Sequence, residues 1–248
     1  MSNENVSKKY VDSIKQIWSK YSIVFVFIFL YLLCTLLTGG KFGEWKNISA
    51  ILRNASTIGI IALGMTFVII SGGIDLSSGP VMATAGIVLV FLQGSGVPLP
   101  IAILACIAVT TAFGFINGII TTKIKVPPFI VTLAVGIIAR SVTMYLGNGA
   151  TVTGNNQDTG FKAIGNGSLF ITPDFPIPTP FIIMLVVAVL LTILLTKTKF
   201  GTFVFAVGCN ELASKYSGIK VDRIKIWTYI IEGICVGIAG TIEISRMV

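Results

Sequence analysis

The stretch Gly72-Gly73-Ile74-Asp75-Leu76-Ser77-Ser78-Gly79-Pro80 is a short polar break between two long apolar runs. Its two adjacent glycines free the backbone to leave a helix, and Pro80 suits the first turn of the helix that follows. Asp75, Ser77 and Ser78 are residue types that cap helix N-termini. The pattern therefore predicts a broken helix, with one segment ending before Asp75 and the next beginning just after it.

The chain around this break is strongly apolar. Of its 248 residues, 54% are hydrophobic and 11% are charged, and the mean hydropathy is +0.92. Soluble domains carry roughly 25% charged residues. The apolar runs are long enough for helices, and the alternating segments of a membrane barrel are not visible. The predicted fold class is all-α, a polytopic transmembrane helical bundle.

The apolar runs predict about seven spans, at residues 22–38, 51–71, 81–92, 98–121, 128–146, 181–196 and 224–242. The third run would cover only ~18 Å if it begins at Val81, and it just reaches the length of a span if it begins at Ser77. We therefore expect it to be broken or re-entrant. Residues 1–21 form a polar tail, and polar stretches lie at 147–180 and 197–225.

Basic residues predict the orientation of the spans. If the spans alternate, most lysines and arginines fall on the side of the tail, residues 123–125 and residues 197–225. This side should be cytoplasmic, because cytoplasmic loops carry the excess of positive charge. The net charge of +8 then reflects membrane orientation and not nucleic-acid binding. This assignment of the loops to alternating sides of the membrane requires that the Asp75 stretch lies in the cytoplasmic half, or that a re-entrant element replaces one crossing.

Several kinds of chemistry are excluded by the residues present. The chain has no histidine, and its four cysteines form no pair motif, so no metal site or disulfide framework is indicated. No P-loop occurs, so the chain does not hydrolyse ATP by that route. Paired carboxylates and nucleophile–base motifs, which an intramembrane enzyme would need, do not occur either. No catalytic residue and no cofactor is predicted.

Three ionisable residues lie at predicted membrane depth, where charge is costly and often functional. Asp75, together with Gly72, Gly73 and Ser77, would either line a solute path or form a capped, buried turn. These two interpretations are compatible. Arg140 would form a buried ion pair, snorkel to the surface or line a polar cavity, and we favour the ion pair. Glu232 is a second candidate buried charge, and the sequence names no partner for it.

Two local patterns predict packing and docking. The pairs Gly114–Gly118 and Gly233–Gly237 have the spacing that lets helices approach closely. In the stretch 197–225, Asn210 is a plausible N-cap and Gly218 a natural residue to end a short helix. Such a helix could dock another protein, or it could be a solvated loop helix, and composition alone favours the second.

Three ordered blocks resemble the sugar-type permeases of ABC transporters, which import ribose, xylose and galactose. The first is Ala62-Leu63-Gly64-Met65-Thr66-Phe67-Val68-Ile69-Ile70-Ser71-Gly72-Gly73-Ile74-Asp75-Leu76-Ser77. The second is Pro128-Phe129-Ile130-Val131-Thr132-Leu133 with Ala139-Arg140, and the third is Gly208-x-Asn210-Glu211-x-Ala213 with Ser217-Gly218-Ile219. Together they cover most of positions 50 to 245.

This resemblance implies a permease subunit in the bacterial cell membrane, comprising residues 22–248 and having a cytoplasmic N-terminus. It would translocate a sugar or sugar-like solute delivered by an extracytoplasmic binding protein. It would also pair with a second permease subunit and bind two cytoplasmic ATP-binding cassette subunits, which hydrolyse the ATP. The ATPase coupling segment would comprise Gly208, Asn210, Glu211, Ala213, Ser217, Gly218 and Ile219. The broken helix beside the translocation path would comprise Gly72, Gly73, Asp75 and Ser77.

The sequence departs from the family pattern in two respects. Family members usually continue through further spans, which predicts that this chain is short at its C-terminus. Glu232 also stands where the family generally has a small or hydroxyl residue. The alternative function is a secondary, ion-coupled transporter, because such proteins also use broken helices near the midplane. It would need coupling-ion sites, for which Asp75, Arg140 and Glu232 are the deep charges available.

Overall fold

The computed structural model describes residues 21–149, 159–170 and 175–247. The predicted tail at 1–21 lies almost wholly outside the described residues. The helices are α1 (Tyr21–Leu37), α2 (Trp45–Ile70), α3 (Ser78–Gly94), α4 (Leu99–Ile119), α5 (Pro128–Leu146), α6 (Thr159–Asn166), α7 (Thr179–Lys197), α8 (Lys199–Cys209), α9 (Glu211–Tyr216) and α10 (Val221–Met247). A π-helical turn, Ile120–Ile124, extends α4, and two short strands, β1 (Ser168–Phe170) and β2 (Pro176–Pro178), lie between α6 and α7.

Among the residues that the structure describes, five helices are long and apolar enough to cross a membrane, namely α2, α4 with its π turn, α5, α7 and α10. The shorter apolar helices α1 and α3 occupy the positions of the other two predicted spans. The all-α, polytopic fold is therefore confirmed. Helices α2 and α10 extend beyond the predicted limits, because hydropathy marks the apolar part of a helix and not its polar ends. The start of α10 carries Asp222, Arg223 and Lys225.

Two compact units make up the chain, Met1–Ile51 and Leu52–Val248. In the first, α1 ends in a turn at Gly39 and Gly40, followed by the 3-10 turn Lys41–Gly43. The ring of Tyr31 packs edge-on against Phe42, with 5.6 Å between ring centroids. The Nδ2 of Asn47 donates to the carbonyl of Phe42 at 2.8 Å. The functional sites discussed below lie in the second unit.

The two polar stretches contain structure that the sequence pattern does not predict. Helix α6 and an antiparallel hairpin, with Ser168 opposite Pro178, lie within residues 147–180. Residues 206–209, within the second polar stretch, form the end of α8. Only Thr198 separates this helix from the end of α7. The Oγ1 of Thr198 accepts a hydrogen bond from the N–H of Gly201 at 3.3 Å and so caps the new helix.

Helix α10 is the most buried of the five long helices, and it packs against α3, α4, α6 and α8. The two glycine pairs face each other across its contact with α4. A Cβ at Gly233 would lie 2.7 Å from the carbonyl oxygen of Thr110, and one at Gly118 would lie 2.9 Å from the Cα of Ile226. The prediction of close helix packing is confirmed, and the two pairs prove to serve the same interface.

Candidate functional site

The polar break begins where α2 ends. Gly72 has φ +80°, a left-handed conformation that glycine adopts without steric cost. Its N–H donates to the carbonyl of Ile69 at 3.0 Å, and the N–H of Gly73 donates to the carbonyl of Val68 at 2.8 Å. This pair of bonds is a Schellman motif, which satisfies carbonyls at a helix C-terminus. The chain then continues without helical structure to α3 at Ser78.

The carboxylate of Asp75 fixes the backbone between the two helices. Its Oδ1 accepts hydrogen bonds from the N–H and the Oγ of Ser77, both at 2.6 Å. Its Oδ2 accepts from the Nδ2 of Asn117 at 3.2 Å, and the same Nδ2 donates to the Oγ of Ser77 at 2.9 Å. Asp75 is 4% exposed and Asn117 is fully buried. The polar atoms of the break therefore point into the protein, towards α4.

The expected N-cap is only partly present. Ser77 occupies the N-cap position of α3, and its side chain makes no capping hydrogen bond to the helix. The hydroxyl is instead engaged by Asp75 and Asn117. Pro80 lies in the first turn, as predicted. Asp75 thus holds the loop that leads into α3 and does not cap the helix itself.

Helix α10 closes the other side of the break. The hydroxyl of Tyr229 donates to the carbonyl of Ile74 at 3.2 Å, and the hydroxyls of Ser71 and Thr228 are 3.2 Å apart. A Cβ at Gly73 would lie 2.8 Å from the hydroxyl oxygen of Tyr229, so the close approach requires glycine. Asn117 and Tyr229 were not predicted as site residues. An amide within an apolar span was the signal available for Asn117.

Glu232 joins this cluster and is 2% exposed. Its carboxyl group lies near the carboxylate of Asp75 and the hydroxyl of Ser78, but it forms no hydrogen bond of normal geometry with that hydroxyl. Four buried oxygen atoms lack a hydrogen-bond partner among the described residues: Ser78 Oγ, Asn117 Oδ1, Thr121 Oγ1 and Glu232 Oε1. No lysine or arginine in the described part of the chain forms an ion pair with Asp75 or Glu232. The cluster is therefore acidic and rich in oxygen acceptors.

The expectation of a buried ion pair at Arg140 is wrong. Arg140 is exposed, and it forms no ion pair within the described ranges. The reason is its position on α5. The residues that α5 buries are Val131, Thr132, Val135, Gly136 and Ala139. At 3.6 residues per turn, Arg140 lies about 100° around the helix from the centre of this buried face. Its charge therefore faces away from the packed interior.

A cavity of about 310 Å³ lies between α3, α5 and α10. Its lining includes Gly86, Thr143, Glu243 and Ile244. Gly72, Gly73, Asp75 and Ser77 do not line it. The geometry of these four residues favours the interpretation as a buried structural joint, and a place for them beside a solute path stays a prediction.

The short helix α9 lies where the sequence predicts it. Asn210 is its N-cap, and its Oδ1 accepts from the N–H of Ala213 at 2.9 Å. Gly218 has φ +83°, and the N–H of Ile219 donates to the carbonyl of Ser214 at 3.1 Å, as at the end of α2. Both ends of α9 are therefore fixed by specific local bonds.

Helix α9 is anchored on one side and exposed on the other. Glu211 forms an ion pair of 2.6 Å with Lys225 of α10, and Ser214 is buried. Leu212 and Tyr216, one helical turn apart, are 68% and 89% exposed. These two side chains were missed as site residues, although their spacing was the signal for a common face. A short helix that is capped at both ends thus presents an apolar and an aromatic side chain outward.

The two sites are in direct contact through Gly208 of α8. A Cβ at this position would overlap the carbonyl oxygen of Ile70, and Ser71 lies next to it. Gly208 therefore lets α8, which leads into α9, pack against the end of α2 where the polar break begins. Gly208 was predicted as part of the ATPase coupling segment, and the structure places it at a contact between helices.

Residues 47–248 match the model of the family described as branched-chain amino acid transport system / permease component. The chain belongs to this family. It is 39% identical over 223 residues to the ribose import permease protein RbsC of Bacillus subtilis (strain 168), covering 90% of this chain and 68% of that protein. It is 38% identical over 192 residues to the galactofuranose transporter permease protein YtfT of Escherichia coli (strain K12), covering 77% of this chain and 54% of that protein.

The ribose import permease protein RbsC of Escherichia coli (strain K12) is 34% identical over 251 residues, covering 100% of this chain and 75% of that protein. No solved structure matches the chain. The family match makes the chain a permease component of an ABC importer and a multi-pass membrane protein, not an enzyme. These comparisons give no support to an ion-coupled secondary transporter.

Proposed function

We propose that this permease component moves a sugar or sugar-like solute, delivered by an extracytoplasmic binding protein. The observation that carries the proposal is the set of names of its relatives, which include permeases for ribose, galactofuranose and D-allose. The description of the family names branched-chain amino acids, and these are therefore the competing class of solute.

The energy for transport would come from two ATP-binding cassette subunits, and α9 would form the docking site that this chain provides. The exposed pair Leu212 and Tyr216 supports this assignment, because aromatic and apolar side chains anchor protein interfaces. The N-cap at Asn210 and the turn at Gly218 support it as well, because a pre-ordered helix loses little conformational entropy on binding. The segment from Asn210 to Ile219 would lie in the ATPase cleft.

Movement of α9 would reach the polar break by two contacts. Gly208 of α8 packs against the end of α2, and Lys225 ties α9 to α10. Helix α10 in turn holds the break through Thr228 and Tyr229. We propose that these contacts carry a displacement of α9 to the loop around Asp75, which thereby acts as a joint beside the solute path.

The remaining partners are part of the same proposal. A second permease subunit would complete the path, and the binding protein would dock on the side that carries residues 147–180. The N-terminus would face the cytoplasm, with residues 1–21 as a tail, residues 22–248 as the permease domain and residues 197–225 as the coupling segment. The distribution of lysines and arginines supports this orientation.

Uptake in proteoliposomes tests the proposal. The permease is reconstituted with its ATPase and binding protein, and uptake is measured for radiolabelled ribose, xylose, galactose, allose and leucine, with ATP or a non-hydrolysable analogue. We expect ATP-dependent uptake of at least one sugar and no uptake of leucine. Uptake of leucine alone would contradict the sugar assignment, and uptake that follows an ion gradient without ATP would contradict the importer class.

A further inference from the structure

A groove lined by basic and aromatic side chains lies beside the start of α10. It encloses about 540 Å³, and its lining includes Phe203 of α8 with Lys220, Arg223 and Trp227. One edge of the groove is formed by the end of the coupling segment, at Ser217, Gly218 and Ile219. Trp227 is 54% exposed and Phe203 is 38% exposed. Lys220, Arg223 and Trp227 follow one another at spacings of three and four residues, so they share one face of the chain here.

The two cations of this groove are not neutralised by the described residues. Lys225 and Lys123 at the same end of the bundle pair with Glu211 and Asp222. Lys220 and Arg223 have no such partner among the described residues, and both are exposed. The groove therefore combines two unpaired positive charges with aromatic side chains, and this combination is suited to binding an anionic ligand.

The surface continues from Trp227 into an apolar groove between α4 and α10. This second groove encloses about 650 Å³, and Trp227 lines both. Its other walls are almost entirely apolar and include Ile107, Phe115, Ile230 and Ile234. Along α10, Arg223 and Ile234 are about 16 Å apart at the helical rise, which is close to half the ~30 Å thickness of a hydrocarbon core.

We propose that this continuous surface binds one anionic glycerophospholipid. The headgroup phosphate lies between Lys220 and Arg223, whose guanidinium can bind two phosphate oxygens at once. The indole of Trp227 lies at the level of the glycerol backbone, where tryptophan is enriched in membrane proteins. One acyl chain follows the groove between α4 and α10. Basic pockets between membrane helices recognise anionic headgroups in this way.

The arrangement fits a lipid better than a soluble protein partner. The charges, the aromatic ring and the apolar groove follow one another in the order of a phosphate, a glycerol backbone and an acyl chain. A docked protein would be expected to meet apolar anchors at the centre of its contact and polar groups at the rim. Here the charges stand at one end and the apolar groove extends away from them.

Tryptophan fluorescence in lipid nanodiscs tests the proposal. The chain has three tryptophans, and replacing Trp18→Phe and Trp45→Phe leaves Trp227 as the sole fluorophore. The full chain is placed in phosphatidylcholine nanodiscs with a small fraction of either brominated phosphatidylglycerol or brominated phosphatidylcholine. We expect the brominated phosphatidylglycerol to quench Trp227 more strongly at equal mole fraction.

The double variant Lys220→Gln/Arg223→Gln in the same background should lose this preference. Each basic residue near a membrane surface adds about 1 kcal/mol of attraction to anionic lipid, so the relative association constant should fall about 30-fold. The matched control is Lys197→Gln/Lys215→Gln, which removes two exposed lysines that line neither groove. The control should keep the preference.

Four results would overturn the proposal. Equal quenching by the two brominated lipids shows that the headgroup is not recognised. Equal loss of preference in the control shows that general surface charge is responsible. Loss of preference on adding inorganic phosphate at constant ionic strength shows a site for free phosphate. Insensitivity of Trp227 to both lipids shows that the face is covered by protein.

Discussion

Replacement of Asp75 by alanine should destabilise the chain, because its carboxylate is the acceptor on which the polar break depends. Two hydrogen bonds from Ser77 at 2.6 Å and one from Asn117 at 3.2 Å are lost. The orphaned N–H of Ser77 costs about 1–3 kcal/mol, and the bond from Asn117 contributes about 1 kcal/mol. Removing a carboxylate beside Glu232 offsets part of this loss.

The expected net loss for Asp75→Ala is about 2 kcal/mol, which corresponds to a fall of about 4–8 °C in Tm for a domain of this size. Asp75→Asn keeps an oxygen acceptor for Ser77 and should lose less than half as much. The buried cysteines Cys106 and Cys235 provide the assay, because they react with a fluorogenic maleimide only when the bundle opens. Replacing the less buried Cys34 and Cys209 by serine removes the background signal.

Two results would refute this reasoning. An unchanged Tm for Asp75→Ala would show that the carboxylate does not hold the joint. An equal fall for Asp75→Asn and Asp75→Ala would show that the negative charge matters and that the acceptor geometry does not. The transport rate measured on the same variants separates stability from function, since a joint beside the solute path predicts slower uptake for Asp75→Ala.

Two further changes test the packing of α10 and the order of α9. Gly233→Ala should lower the free energy of unfolding by about 1–3 kcal/mol, because its Cβ would lie 2.7 Å from the carbonyl oxygen of Thr110. The control Gly79→Ala should leave stability unchanged, because a Cβ there would have nothing within 4 Å. Equal melting temperatures for the two variants would contradict the packing. Asn210→Ala should destabilise α9 by about 1 kcal/mol and speed hydrogen exchange at the amide of Ala213, because the side-chain acceptor of this amide is lost. Asn210→Ser should retain most of the cap. Identical exchange rates in the two variants would show that the cap is not needed.

The sequence predicts the helical framework well, because each span leaves a continuous local signal. The third helix follows from the polar break, and the ends of α9 follow from Asn210 and Gly218, whose bonds join near neighbours. The glycine pairs also indicate close packing. Neither glycine motif predicts that the pair on α4 packs against the pair on α10, because this contact joins distant parts of the chain.

Which residues make up the site is harder to predict from the sequence, because its contacts also join distant parts of the chain. Asn117 lies 42 residues from Asp75, and Tyr229 lies 155 residues from Ile74, so no local spacing links them. Arg140 is misassigned because a charge within an apolar run does not reveal which face of the helix it occupies. Helix α8 is missed because a single residue, Thr198, separates it from α7.

Photo-cross-linking from α9 tests most directly the central claim that this helix is the ATPase contact. Tyr216, 89% exposed, is replaced by p-benzoylphenylalanine in cells that co-express the ATPase, with the 82% exposed Tyr145 as the matched position on α5. We predict an ultraviolet-dependent adduct with the ATPase subunit from position 216 and none from position 145. A stable complex that gives no adduct at position 216, or equal adducts at both positions, would contradict the account.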